Sequence, residues 1–179
     1  MRIFKSNKGY TLIELLAVMI IMITVGLIIA TILVSSLRGS NKTNTIESIR
    51  QNGNYTILQI SKMLEFAQSF QGVSNDDINY LPNCSSPATQ YKYIKITSFD
   101  NQPTTFSCRA NDIASNGASL INTNEVSLGP CSFTCSRNLS LPPTIGIAFT
   151  LLQKSTSSFF EKQATIDFQT SVILRNLNK

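Results

Sequence analysis

Four cysteines, one glutamate inside an apolar run and the complete absence of histidine bound the chemistry open to this chain of 179 residues. Cys84, Cys108, Cys131 and Cys135 have the spacing C-x23-C-x22-C-x3-C. An even number of thiols in an exported domain reads as disulfides. The rival is a tetrathiolate zinc site, but only one short Cys pair is present where zinc motifs use two. If residues 131–135 form a strand, Cys131 and Cys135 face the same side about 13 Å apart, too far for a bond. They can join only if residues 132–134 turn; otherwise each reaches Cys84 or Cys108, and three connectivities stay open. Without histidine the commonest general base and metal ligand is missing, and the Ser-rich stretches have nothing to activate a nucleophile. Asp76 and Asp77 sit in a polar stretch that lacks the spaced acidic ligands and the Gly of a calcium loop. The N-x-S/T triplets at Asn41, Asn54, Asn83 and Asn138 are what so Asn-, Ser- and Thr-rich a chain produces by composition. No catalytic set and no cofactor site emerges, so an enzyme is the reading least supported. Glu14 stands apart. A carboxylate within a membrane helix costs about 2.5–3.5 kcal/mol, so it requires a partner or a task.

The element that carries Glu14 is residues 10–34, YTLIELLAVMIIMITVGLIIATILV, in which it is the one charged side chain. As a helix this run extends about 37 Å at 1.5 Å per residue, enough to cross a hydrocarbon core of about 30 Å with some tilt. Of the formal net charge of +5, Arg2, Lys5 and Lys8 supply +3 ahead of the run. This basic flank places the N-terminus in the cytoplasm, and Arg38 and Lys42 beyond the run weaken the asymmetry without reversing it. Charge placed this way is a membrane flank, and nucleic-acid binding is only weakly supported by it. The charged fraction, 14%, is well below the roughly 25% of soluble domains. A secretory signal would have an apolar region of about 7–15 residues followed by a small-residue cleavage site, and neither is found here. A plain single-pass anchor fits the length and leaves Glu14 unexplained.

The string Lys8-Gly9-Tyr10-Thr11-Leu12-Ile13-Glu14-Leu15-Leu16 resembles the class III signal of type IV prepilins: a short basic leader, Gly, an aromatic residue, a short apolar run and Glu at the fifth mature position. The resemblance covers about the first third of the chain. It implies cleavage between Gly9 and Tyr10 by a membrane-embedded prepilin peptidase, N-methylation of Tyr10, and retention of the helix. It implies that Glu14 neutralises the terminal amine of an adjacent subunit. Gly9 lets the backbone extend into a protease cleft, and Glu14 lies one helical turn from Tyr10, near the positive end of the helix. Two departures are visible. Tyr10 stands where Phe is commonest, and Thr31 stands where many major pilins carry a helix-kinking Pro. The second, with the lack of a Cys pair bracketing the last strands, leans towards a minor pilin or pseudopilin. ESIRQNGNYTILQISKMLEFA, residues 47–67, is similar to the corresponding region of J- or W-type minor pilins.

The polar stretch SSLRGSNKTNT after Val34 has poor helix propensity and reads as a softened segment. Helical spacing resumes at Ile46, Ile49, Gly53, Ile57, Ile60, Leu64 and Ala67, predicting an amphipathic helix over 46–70 that lays this stripe on a sheet. Gly53 is either a simple cost in helix stability or the mark of a close helix–sheet approach. Residues 71–90 read as a loop. Strand character follows at 91–99, 104–109, 131–136, 144–152 and 164–175, with a weak mixed stretch at 118–128, and 144–152 is apolar enough to be central. The expectation is α+β: a long N-terminal helix, membrane-spanning and then amphipathic, packed on an antiparallel meander of four to six strands.

The organisation read from the sequence is a leader at 1–9, a transmembrane and assembly helix at 10–38, its amphipathic continuation at 39–70, and a β-rich extracytoplasmic head at 71–179. The function it points to is a structural subunit of a type IV pilus, a type II secretion pseudopilus or a competence pilus, first held in membrane lipid and then packed against other subunits through residues 10–34. The alternative is an extracytoplasmic binding domain, an adhesin or a DNA-uptake component, tethered by a single-pass anchor.

Overall fold

The computed structural model describes residues 9–82, 84, 89–137, 142–154 and 163–175. Two compact units are present, Met1–Asn41 and Lys42–Lys179. A single helix, α1 (Leu12–Glu65, 54 residues), contributes to both. The stretch SSLRGSNKTNT is helical, contrary to the softened segment expected from its propensities. Each poor former costs at most about 1 kcal/mol in a helix already begun, whereas a break would create two new ends with unsatisfied amides and carbonyls.

In the second unit the buried stripe of α1 is Ile49, Gly53, Thr56, Ile60 and Leu64. This is the expected stripe, with Ile46 and Ile57 half-buried at its margin and Thr56 added. Thr56 goes unnoticed in the sequence because it is polar. Its hydroxyl donates to Asn52 O and to Leu120 O at 2.9 and 3.0 Å, so its burial leaves no polar group unmet. The helix stops at Glu65 rather than at residue 70, and Arg175 pairs with Glu65 at 2.9 Å.

Residues 69–74, expected to lie across a helix end and a loop, form strand β1 (Ser69–Ser74). Gly72 hid it. Its φ of 143° belongs to Gly, a register shift between Phe70 and Gly72 absorbs it, and a Cβ there would lie 2.7 Å from Leu81 O.

The described strands number nine and form two antiparallel sheets, not one meander of four to six. The first sheet contains β1, β3 (Tyr93–Thr97), β4 (Pro103–Cys108), β5 (Ile113–Ser115) and β6 (Ala118–Ser119), in the order β1-β3-β4-β5-β6. The second contains β2 (Gln90–Tyr91), β7 (Val126–Ser136), β8 (Thr144–Gln153) and β9 (Thr165–Ile173), in the order β2-β7-β8-β9. The run expected as one strand over 91–99 therefore divides at Lys92, with Tyr91 in one sheet and Tyr93 in the other. The weak stretch 118–128 resolves into β6, a turn and the start of β7. The apolar 144–152 segment is an internal strand, β8, between β7 and β9.

Alternation then places the core: Ile94 and Ile96 from β3, Phe106 from β4, Phe133 from β7, and Ile145, Ile147 and Leu151 from β8 are fully buried in one cluster with the α1 stripe. The fold is α+β, as the sequence predicts.

Gly53 marks a close approach. A Cβ built there would lie 2.1 Å from Cζ of Phe168, whose ring stacks on Phe149 with centroids 5.3 Å apart. Overpacking of this kind costs about 1–3 kcal/mol and outweighs the gain of about 1 kcal/mol that Ala brings to a helix. Gly53→Ala is expected to lower stability by about 1 kcal/mol and Gly53→Val by more, read by denaturant unfolding with tyrosine fluorescence. Adding Phe168→Leu is expected to cost less in the Gly53→Ala background than in the wild type. Strict additivity would show that the ring does not limit the approach.

Candidate functional site

Residues 9–11 precede the helix, and Thr11 caps it. The Glu14 amide donates to the Thr11 hydroxyl at 3.3 Å and to the Thr11 carbonyl at 3.1 Å. This is the first half of a T-x-x-E capping arrangement, a signal present in the sequence but overlooked beside the prepilin resemblance. Because α1 begins at Leu12, Tyr10 precedes the helix and is not one helical turn from Glu14, contrary to the expectation from their spacing. Tyr10 is 84% exposed, and open space surrounds the Gly9 Cα where a side chain would be. The Gly9–Tyr10 peptide is thus outside regular structure and accessible. Glu14 sits in the first turn, where the helix dipole favours a negative charge, and its carboxylate has no partner among the described residues. Arg2, Lys5 and Lys8 lie outside the described residues.

From Leu12 to Leu37 the helix is predominantly apolar, and every residue of it is exposed among the described residues. Its most apolar window of 18 residues has a mean hydropathy of 2.9 and is 0% buried. A helix of this kind is long and apolar enough to span a membrane. Its two threonine hydroxyls bond within the helix: Thr24 donates to Ile21 O at 2.9 Å and Thr31 to Ile28 O at 2.8 Å, so neither needs water. Thr31 also leaves α1 unbroken at the position where a Pro would have removed a helix hydrogen bond.

In the second unit the cysteines pair as Cys84–Cys135 and Cys108–Cys131, with Cα–Cα distances of 5.1 and 5.7 Å. Cys131 and Cys135 lie in β7 on the same buried face, so each bonds outwards and not to the other. Cys108–Cys131 joins β4 of one sheet to β7 of the other. Lys92 reinforces the same junction, its Nζ donating to Cys131 O at 2.9 Å while its carbonyl accepts from the Cys108 amide at 2.8 Å. A second set of contacts fastens α1 to the segment 120–125. Ser48 donates to Glu125 at 2.9 Å, the Asn122 amide donates to Asn52 at 2.8 Å, and Thr56 donates to Leu120 O.

Asp76 is a structural acceptor. It takes hydrogen bonds from the Ser74 hydroxyl at 2.6 Å, from the Ile78 and Asn79 amides at 3.0 and 2.9 Å, and from the Asn79 side chain at 2.7 Å. These donors, the Ser74 hydroxyl foremost, hold its carboxyl well below the ordinary carboxylate range. Asp77, at φ 63°, accepts from the Tyr80 phenol. Burial, seconded by that bond, pushes the phenol above its usual value, and Lys95 Nζ lies 5.2 Å over the ring. Both carboxylates thus serve the turn. Among the described residues no three of His, Cys, Asp and Glu gather as a metal site.

Among the described residues of the second unit are two open grooves. One, of about 590 Å³, is lined by Gln59, Lys62, Met63, Phe66, Gln68 and Phe99. The other, of about 480 Å³, crosses the second sheet past Lys92, Ser132, Thr150 and Asp167. Neither assembles a nucleophile, base and orienting group. Comparison of the chain with protein-family models, with curated proteins and with solved structures gave no match.

Replacing both Cys108 and Cys131 by Ser is expected to cost about 3 kcal/mol of unfolding free energy, since that bond closes 23 residues of chain. Guanidinium unfolding of the two forms measures it; a change under about 1 kcal/mol would mean that Lys92 and the core hold the sheets without the bond. For Asp76 the sign follows from a lowered folded value. Its hydrogen bonds contribute fully above about pH 5 and are lost as pH falls through the unfolded value near 4 towards the lower folded one. Protection factors of the Ile78 and Asn79 amides should therefore fall from pH 5 to pH 2 in the wild type. In Asp76→Asn they should be low at both.

Proposed function

We propose that this chain is a pilin-like filament subunit, probed by a prepilin peptidase at Gly9–Tyr10 and assembled through its N-terminal helix. The observation that carries the reading is the sequence Lys8-Gly9-Tyr10-Thr11-Leu12-Ile13-Glu14, whose last three residues open a helix with a strongly apolar window that is unburied among the described residues. Exposure of Gly9 and Tyr10 ahead of the first helical turn supports it, because a protease binds extended chain. Two disulfides support placing the head on the oxidising side of the membrane, with the basic leader on the other.

In this reading, hydrolysis of the Gly9–Tyr10 bond releases the leader and creates an amine on Tyr10, which is then methylated. Thr11 keeps the first turn ordered through the Glu14 amide, which leaves the Glu14 carboxylate available to a neighbour. In lipid that carboxylate is costly; beside the terminal amine of an adjacent subunit it is neutralised. Assembly therefore recovers part of the cost and selects one axial register, while close packing of apolar side chains supplies the remainder. The unbroken helix at Thr31 favours a minor pilin or pseudopilin over a major pilin.

Co-expression with a prepilin peptidase, followed by intact mass and N-terminal sequencing, tests the reading. The expected product starts at Tyr10 and carries one extra methyl. A product starting at Met1 would leave a single-pass anchor, and cleavage beyond residue 30 would make this a secreted protein. Glu14→Ala should be cleaved normally but enter sheared filaments at least about tenfold less, if half of the 2.5–3.5 kcal/mol lipid cost is recovered on pairing. Glu14→Gln keeps the size and polarity of the side chain and loses only the charge, so it isolates the charge from the Thr11 cap, which uses the backbone amide. Assembly of Glu14→Gln at the wild-type level would show that the charge of Glu14 does not drive assembly.

A further inference from the structure

The sequence contains two Asn-Gly pairs, Asn52-Gly53 and Asn116-Gly117, and the fold treats them in opposite ways. In such a pair the second amide can approach the Asn side-chain carbon with least hindrance, because Gly has no Cβ. Asn52 lies inside α1. Its side chain donates to Ser48 O at 2.9 Å and accepts from the Asn122 amide at 2.8 Å, and Gly53 is buried. Asn116 and Gly117 are exposed and form the two-residue turn between β5 and β6, with φ of 48° and 85°. Those strands have three and two residues and end the first sheet, so little cooperative structure holds the turn. Three contacts at the turn bear on its chemistry. The Gly117 amide has no acceptor among the described residues. The Asn116 carboxamide oxygen accepts from the Thr105 amide at 2.8 Å, and its nitrogen donates to Pro103 O at 3.4 Å. The Arg109 guanidinium lies beside Gly117, its Nη2 3.7 Å from the point where a Cβ would be.

We infer that Asn116-Gly117 is a self-modification site, at which attack by the Gly117 amide converts the Asn116 carboxamide to a carboxylate. Hydroxide removes the Gly117 amide proton, and the neighbouring Arg109 charge favours the resulting anion. Rotation of the peptide plane between the two residues brings that nitrogen to Asn116 Cγ. Negative charge gathers on Oδ1, where the Thr105 amide already donates. The Cγ–Nδ2 bond breaks, ammonia leaves with a proton from water, and a five-membered cyclic imide remains. Water then opens the ring at either carbonyl, leaving an aspartyl or an isoaspartyl residue. The aspartyl product keeps the acceptor for Thr105, loses the donor to Pro103 O and gains a negative charge. The isoaspartyl product lengthens the main chain by one carbon, which a two-residue turn pairing Ser115 with Ala118 does not accommodate. Either product alters the edge of the first sheet after synthesis, without an enzyme. The inference stands on the head alone and holds whether or not the chain enters a filament.

The test incubates the full-length chain in detergent micelles at mildly alkaline pH. Peptide fragmentation by mass spectrometry then follows the conversion at each Asn, in the folded chain and in guanidinium. In the folded chain Asn116 is expected to react at least about tenfold faster than Asn52, because a short edge hairpin opens far more readily than a packed helix. In guanidinium the two pairs should converge, since both are Asn-Gly. Equal folded rates, or a folded chain in which Asn116 stays intact while the unfolded chain reacts, would overturn the inference. Arg109→Gln should slow the reaction at Asn116 in the folded chain and leave the unfolded rate unchanged. An unaltered folded rate would refute the part assigned to Arg109.

Discussion

Packing in the head turns on how closely α1 can approach the second sheet. Gly53 brings the helix backbone against the Phe168 ring, and Phe168 in turn stacks on Phe149 of the neighbouring strand. Because packed interiors do not deform continuously, a helix held further out would leave gaps beside Ile49, Thr56 and Ile60 together. The polar contacts along the same stretch depend on that distance as well. Thr56 reaches Leu120 O and Asn52 reaches the Asn122 amide only while the helix sits this low. A glycine that looks like a loss of about 1 kcal/mol in helix propensity is therefore repaid by contacts on both sides of it.

The disulfides act where that packing is thinnest. The first sheet presents short strands, and β5 and β6 have three and two residues, too few to hold by ladder bonds alone. Cys108–Cys131 fixes β4 to the long strand β7, and Cys84–Cys135 fixes Cys84, two residues after Pro82, to the same strand four positions on. β7 thus anchors both bonds from one buried face. Its alternation explains why two cysteines four residues apart serve two different partners.

How much of this the sequence disclosed depends on whether a feature was local. Strong local periodicity was legible: the α1 stripe, β8 and the inward rows of β3 and β7 follow from apolar spacing. Features set by distant partners were not. Strand β1 was hidden because Gly72 and polar neighbours make SFQGVS look like a loop, and only its pairing with β3 and the Leu81 bridge gives it strand structure. The division at Lys92 was hidden because YKYIKITSF alternates without interruption, while the change of sheet is imposed by β7 and by the cysteine bond beside it. The polar middle of α1 was misread because propensity is summed over residues, whereas the cost of a break falls on its two ends. At the N-terminus the T-x-x-E cap was legible but eclipsed by a resemblance that gave Glu14 another role.

The cap that is seen at Glu14 and the assembly role proposed for it do not compete, because they use different atoms. Capping occupies its amide through Thr11, and the charge resides on the carboxylate. If the chain is the proposed filament subunit, held first in lipid, such a division has a physical consequence. The first turn stays hydrogen-bonded without the carboxylate, so the helix end does not fray while that group lacks a partner. Order at the helix start is then independent of assembly, and the energetic cost of the unpaired charge is concentrated in one group. A cost confined to one group is one that a single neighbour can remove, which is how a weak, non-directional apolar surface can still acquire a preferred register.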